Sequence, residues 1–242
     1  MCAMLIEIIC LGWEKLPEKL RANFTKEIRE TLASFPADWP EVEYLPISAY
    51  FGDQFNYITG APTDGFNYAS VMASNVAPLS RGTVSIGSAD TSDLPVIDPK
   101  WLDHPVDKAV AIAAFKRTRE LWHSPSLNEI TIGEEYFPGR AVQSDEEILQ
   151  FLGRSFSTIN HGCCTCAMGG VKDPNAVLDS QARVIGVDGL RVVDASAFPL
   201  LPPGHPQATV CKDVTYHQRR LCPILTETST IQICLQKKSL TT

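Results

Sequence analysis

The chain has 242 residues, enough for one large domain or two small ones and for a sizeable buried core. Apolar residues make up 44% and charged residues 20%, the balance of an ordinary globular protein, so disordered, fibrous and disulfide-stapled miniature classes are excluded. With 21 Lys+Arg against 28 Asp+Glu the net charge is −7, and no basic run exceeds the pairs Arg219-Arg220 and Lys237-Lys238. A surface that follows nucleic-acid phosphates or anionic lipid is therefore not expected.

The chain opens on an apolar stretch, Met1 to Trp13, interrupted by Glu7. It is too short to span a bilayer and lacks both a basic front end and a small-residue cleavage site. It reads as a helix or strand of a domain whose earlier part is absent, not as a signal or membrane segment. Leu16, Leu20, Phe24, Ile28 and Leu32 recur every four residues, which predicts one helix over about Leu16 to Ser34. Pro36, Pro40, Pro46, Pro62 and Pro78 then break the chain into turns and extended pieces. Two short strands are predicted between Tyr68 and Ile97, around Ser80-Arg81-Gly82, and the alternation in Thr83-Val84-Ser85-Ile86 predicts a half-buried strand.

A helix is predicted from Asp103-His104-Pro105 to about Trp122, with Val106, Val110, Ala113, Ala114 and Leu121 on one side. Its cations Lys116, Arg117 and Arg119 lie late, where the helix dipole favours them. Ser144-Asp145-Glu146-Glu147 fits a capping box and starts another helix that buries Ile148, Phe151 and Leu152. Beyond Gly153 short strands and tight turns are expected, with Val184 to Leu190 turning into a buried strand at Arg191 to Asp194. No internal repeat is present. Tyr44, Phe51, Phe55, Tyr57 and Phe66 could line an aromatic pocket, although core positions suit most of them better.

Of the five histidines, His104 and His123 sit at the two ends of a predicted helix, where capping or surface roles are ordinary. His161 follows a predicted strand and precedes Gly162-Cys163-Cys164-Thr165-Cys166-Ala167-Met168-Gly169-Gly170, small residues that let backbone approach a flat ligand. His205 stands in the stiff loop Pro202-Pro203-Gly204-His205-Pro206-Gln207. Spacing alone leaves both as either acid/base groups or hydrogen-bonded core and turn residues. Eight cysteines at 2, 10, 163, 164, 166, 211, 222 and 234 form no regular framework and read as reduced thiols. Adjacent cysteines reach one ion together with difficulty and no second CxxC exists, so no metal site is expected. A Cys nucleophile with a His base stays conceivable, whereas a serine hydrolase would show a G-x-S-x-G elbow, which is absent.

The run from His161 to Gly169, the stretch Ala182 to Ser196 and the loop Pro203-Gly204-His205-Pro206-Gln207 together resemble the C-terminal signature of the glucose-methanol-choline (GMC) oxidoreductases. Pro78-Leu79-Ser80-Arg81-Gly82-Thr83-Val84 and Pro95-Val96-Ile97-Asp98-Pro99 resemble the family's upstream landmarks in the same order. The likeness runs from about Gly12 to Val210 and is nearest to fungal members of degradative and secondary-metabolite pathways. The resemblance implies an α+β fold: a mostly antiparallel sheet with helices on one side, forming a substrate-binding region over 1–157. A C-terminal flavin and active-site segment would follow over 158–210.

It further implies FAD as cofactor, a small-molecule primary or secondary alcohol as substrate, hydride transfer to flavin, and a histidine that removes the hydroxyl proton. His161 matches the family's histidine before T-C-x-M-G, its candidate base, and His205 matches the second active-site position. Asp194 and Ala195 match residues by the ribityl-pyrophosphate part of FAD. Pro206 and Gln207 match those beside the isoalloxazine ring. Cys164 stands where many members have Gly, a change expected to be tolerated. The family's N-terminal G-x-G-x-x-G is missing, so the chain corresponds to about the last two fifths of a member. The segment 211–242 departs from the family's C-terminal helix and reads as a divergent, disordered tail, the product of a shifted frame or an unspliced intron, with a genuine divergent terminus as the alternative. A non-redox relative performing cyclisation or lyase chemistry, and an inactive remnant, remain the alternatives.

Overall fold

The computed structural model describes residues 10–52 and 60–212. These divide into two compact units, one ending at Ile159 and the other starting at Asn160.

In the first unit, strand β1 (Gly12–Glu14) pairs antiparallel with β2 (Val42–Ile47), which pairs antiparallel with β3 (Ser70–Asn75). Successive side chains of a strand point to opposite faces, so Val42 and Tyr44 share one face, and both join the main apolar cluster. Pro46 lies in this central strand, yet β1 covers only Val42 to Tyr44. Beyond that point β2 is an edge, where a residue lacking an N–H is tolerated.

The single helix expected over Leu16 to Ser34 is two pieces. A 3-10 turn spans Glu18–Arg21, and helix α1 spans Lys26–Ala33. Thr25 caps α1 by accepting from the Ile28 N–H, which forces it into extended backbone. The Arg29 guanidinium donates to the carbonyls of Arg21 (2.6 Å) and Phe24 (3.3 Å), satisfying groups that a continuous helix would bond internally. The apolar stripe survives the break: Leu16, Phe24 and Leu32 are buried in the core, with Leu20 and Ile28 packed against it. The buried Glu41 carboxylate secures this corner by accepting from Arg21 Nη2 at 2.6 Å and from the Leu16 N–H at 3.1 Å.

Helix α2 (Pro105–Trp122) runs as predicted and carries Val106, Val110, Ala113 and Ala114 into the same core. Its late cations are held by carboxylates as well as by the dipole, Arg117 by Glu14 at 2.8 Å and Arg119 by Glu135 at 2.7 Å. His104 is the N-cap, its Nδ1 accepting from the Val106 N–H, and His123 is the C-cap. A short helix, α3 (Pro125–Asn128), follows, then α4 (Asp145–Ser155). The Ser144/Glu147 capping box is formed at both ends, and Ile148 and Phe151 are buried. Ser144→Ala should cost about 1 kcal/mol, read as a lowered midpoint in urea unfolding of the chain.

Asp107 carries a tie that the sequence did not announce. It is buried in the first turn of α2, and its carboxylate accepts from the N–H groups of Leu79 (2.9 Å) and Ser80 (2.7 Å). The Pro78 to Gly82 landmark is thereby fastened to the helix. Asp107→Asn, which can keep only one of these bonds, should cost about 1.5–3 kcal/mol in the same unfolding experiment.

Strands β4 (Thr83–Ser85) and β5 (Val96–Asp98) pair only with each other, and every residue of both is exposed. This corrects the half-buried strand expected at Thr83 to Ile86, since Ile86 itself is 88% exposed. Alternation marks a strand's two faces but not whether either face is covered. Gly82 is required here because a Cβ would lie 2.4 Å from the Asp98 carbonyl oxygen. The architecture is α+β, with two small antiparallel sheets among the described residues in place of one larger one. Of the candidate pocket aromatics, Tyr44 is core and Phe66 is 61% exposed, while Phe55 and Tyr57 lie outside the described residues.

Among its described residues the second unit has little regular structure. Residues 156–159 before it are not a strand, contrary to expectation, and Arg191 to Asp194 makes one isolated bridge, Arg183 with Arg191, in place of a buried strand. The turn feeding it is present, with Gly186 (φ 82°) and Gly189 (φ 76°) in backbone that disfavours side chains. Residues 207–212 are helical, so the first two positions of the expected disordered tail are ordered; 213–242 lie outside the described residues. No helix among the described residues is long and apolar enough to cross a membrane.

Candidate active site

The site is built on a ladder of backbone hydrogen bonds in the second unit. The N–H groups of Cys164, Cys166 and Met168 donate to the carbonyls of Ala195 (3.1 Å), Ser196 (2.8 Å) and Ala197 (3.0 Å). This lays the segment after His161 along the 3-10 turn Ala195–Ala197, whose N-cap is Asp194. Asp194 uses its Oδ1 to accept from the Ser196 N–H at 2.8 Å. Leu178 fastens the other side: its N–H donates to Ala167, its carbonyl accepts from Gly169, and its side chain is fully buried. Small residues allow this closeness, since a Cβ on Gly169 would come within 2.8 Å of the Ala176 Cβ.

His161 and His205, far apart in sequence, meet edge to face with ring centroids 5.0 Å apart. The His205 loop turns at Gly204 (φ 96°), and Pro206 accepts the first helical bond from Val210 at 2.8 Å, placing Gln207 in that turn. Asp194 and Ala195 join the His161 segment through the Cys164 bond, whereas Pro206 and Gln207 adjoin His205 along the chain.

His161 Nε2 is shielded from solvent and has no hydrogen-bond partner. Burial, foremost, holds the imidazole pKa below its ordinary value; nearby His205 pushes the same way, against a hydrogen bond with the Asn160 backbone that favours the cation. A neutral imidazole carries its proton on one ring nitrogen and presents a lone pair on the other. Asn160, with φ 63°, was not singled out from sequence; an Asn directly before the histidine, a residue type that tolerates left-handed backbone, was the available signal. Among the described residues no group of His, Cys, Asp and Glu is arranged to hold a metal ion.

The pattern that defines the GMC oxidoreductases matches residues 78–211. The chain belongs to the GMC oxidoreductase family. It is 56% identical over 196 residues to the oxidoreductase cicC of Emericella nidulans, covering 81% of this chain and 32% of that protein. It is also 56% identical over 201 residues to patulin synthase of Penicillium expansum, covering 83% and 32%. Among solved structures, pyridoxine 4-oxidase from Mesorbium loti superposes with a TM-score of 0.64 at 31% identity, over 75% of this chain and 34% of that one. The chain thus spans about a third of the length of the relatives it matches. It is a C-terminal GMC segment of the fungal secondary-metabolite type, from a family of FAD-dependent oxidoreductases.

The residues present fit a flavin-dependent site. An unsatisfied buried nitrogen such as His161 Nε2 costs free energy unless a ligand group meets it. The small residues after His161 leave the backbone there little covered by side chains, as a flat ring requires.

Proposed function

We propose that this GMC segment contributes the proton-accepting groups to the oxidation of a small primary or secondary alcohol. The observation that carries the reading is the buried, unpartnered Nε2 of a neutral His161 beside the His205 ring. Nε2 accepts the substrate's hydroxyl proton, a role that requires the ring's own proton on Nδ1, the side on which the Asn160 backbone would hold it. His205 holds the alkoxide oxygen as charge develops on it. Bound flavin supplies the acceptor for the hydride leaving the carbinol carbon. Asp194 and Ala195 would border its ribityl-pyrophosphate portion, with Pro206 and Gln207 beside its ring. Asp194 holds its loop in shape through the Ser196 bond, so its second carboxylate oxygen and the neighbouring backbone are what it offers a ligand.

The test is made on a chimera joining this chain to the remaining two thirds of the cicC relative, purified with FAD and mixed anaerobically with primary and secondary alcohols. Loss of the flavin's visible absorbance together with an aldehyde or ketone product is expected. Turnover with an unchanged flavin spectrum would replace oxidation by cyclisation or lyase chemistry, and bound flavin with no turnover of any alcohol would overturn the catalytic reading.

A further inference from the structure

Consecutive residues in extended backbone direct their side chains apart, yet Cys163 and Cys164 direct theirs together. The Cys164 thiol donates to the Cys163 Sγ at 3.3 Å. The cause is local: Cys164 has φ 66°, in the left-handed region, which swings its side chain back over its neighbour. The bond from the Cys164 N–H to the Ala195 carbonyl helps hold that conformation, and Cys166, two residues on, is tied separately to Ser196. Both residues of the pair are half-buried, neither sealed in the core.

We propose that Cys163 and Cys164 are a modification site, a vicinal dithiol that hydrogen peroxide closes reversibly into a disulfide. One thiolate sulfur attacks the O–O bond of the peroxide, becoming a sulfenic acid as the first water leaves. The second thiolate attacks that sulfur, the S–S bond forms, and the hydroxyl departs as the second water. The two thiols lose two protons and two electrons, and hydrogen peroxide is reduced to two waters. Consecutive Cα atoms lie about 3.8 Å apart, shorter than the roughly 4.4–6.8 Å that a disulfide prefers. The bond is strained and correspondingly easy to reduce, as a reversible site requires. Closing the ring must change the Cys164 backbone, loosening its bond to Ala195 and with it the anchor of the His161 segment. An effect on catalysis through that segment rests on His161 being the base; the modification does not.

The native chain is treated with stoichiometric hydrogen peroxide, unfolded in iodoacetamide and digested with trypsin. The peptide between Arg154 and Lys172 carries Cys163, Cys164 and Cys166 and no other cysteine. Expected is a peptide two hydrogens lighter, with one label, on Cys166, returning to three labels after dithiothreitol. Labels on all three cysteines after peroxide, or a bridge that includes Cys166, would overturn the site. Cys166→Ser should leave closure intact and Cys164→Ser should abolish it; the reverse pattern refutes the assignment. Imidazole NMR signals of His161 should move on oxidation and return on reduction, and unmoved signals would remove the coupling. A failure of the base reading, in which His161→Ala keeps full activity, leaves the mass result unaffected.

Discussion

Replacing His161 by alanine is expected to lower alcohol oxidation by about 10²–10⁴-fold, the range for loss of a positioned general base. The loss should fall on kcat/KM at saturating flavin, with the visible spectrum of bound flavin retained. The pH profile carries the sign. Burial and His205 hold the His161 pKa below the ordinary imidazole value of 6.5, and the neutral ring is the active form. kcat/KM should therefore rise with pH through an acid limb centred below 6.5 and level off above it. In His161→Ala that limb should vanish from whatever rate remains. An unchanged rate, or a limb at the same pH in the variant, would assign the base to another group.

Leu178→Ala should destabilise the second unit by about 2–5 kcal/mol, as deletion of a fully buried leucine does when its surroundings relax only in part. Leu178 is 0% exposed and bridges Met168 on one side and Val184 on the other. Its backbone thus joins the His161 segment to the turn that leads to Asp194, at a point where its side chain is fully buried. Leu178→Met, close in volume, should cost less than about 1.5 kcal/mol. Denaturant unfolding followed by the His161 and His205 imidazole NMR signals reads both effects. Equal stability of the alanine variant and the parent would show that Leu178 is not the anchor.

Helices α2 and α4 were legible because their determinants are local: a cap, a proline or capping box at the start, and an apolar stripe at helical spacing. The break at Thr25 was not, because what ends the helix is Arg29 reaching back to two carbonyls, a bond that period counting does not represent. The pairing of Gly12–Glu14 with Val42–Ile47 was likewise invisible, since short strands carry no sign of their partner. His161 and His205 stood out as residues in unusual local settings, and the resemblance supplied their relation. Their 5.0 Å approach depends on a long connection folding back, and no spacing rule measures that.

The sequence by itself determined the family, the acidic balance, the two long helices and which histidines to weigh, since each is written in neighbouring residues or ordered motifs. Tertiary structure alone decided that the Thr83–Ser85 strand is bare, that Asp107 clasps Leu79 and Ser80, and that His161 holds an unpartnered nitrogen beside His205. The reason is common to all three. Burial, a carboxylate's choice of donor and the absence of a partner are properties of what surrounds a group, and the surroundings come from residues distant in the chain.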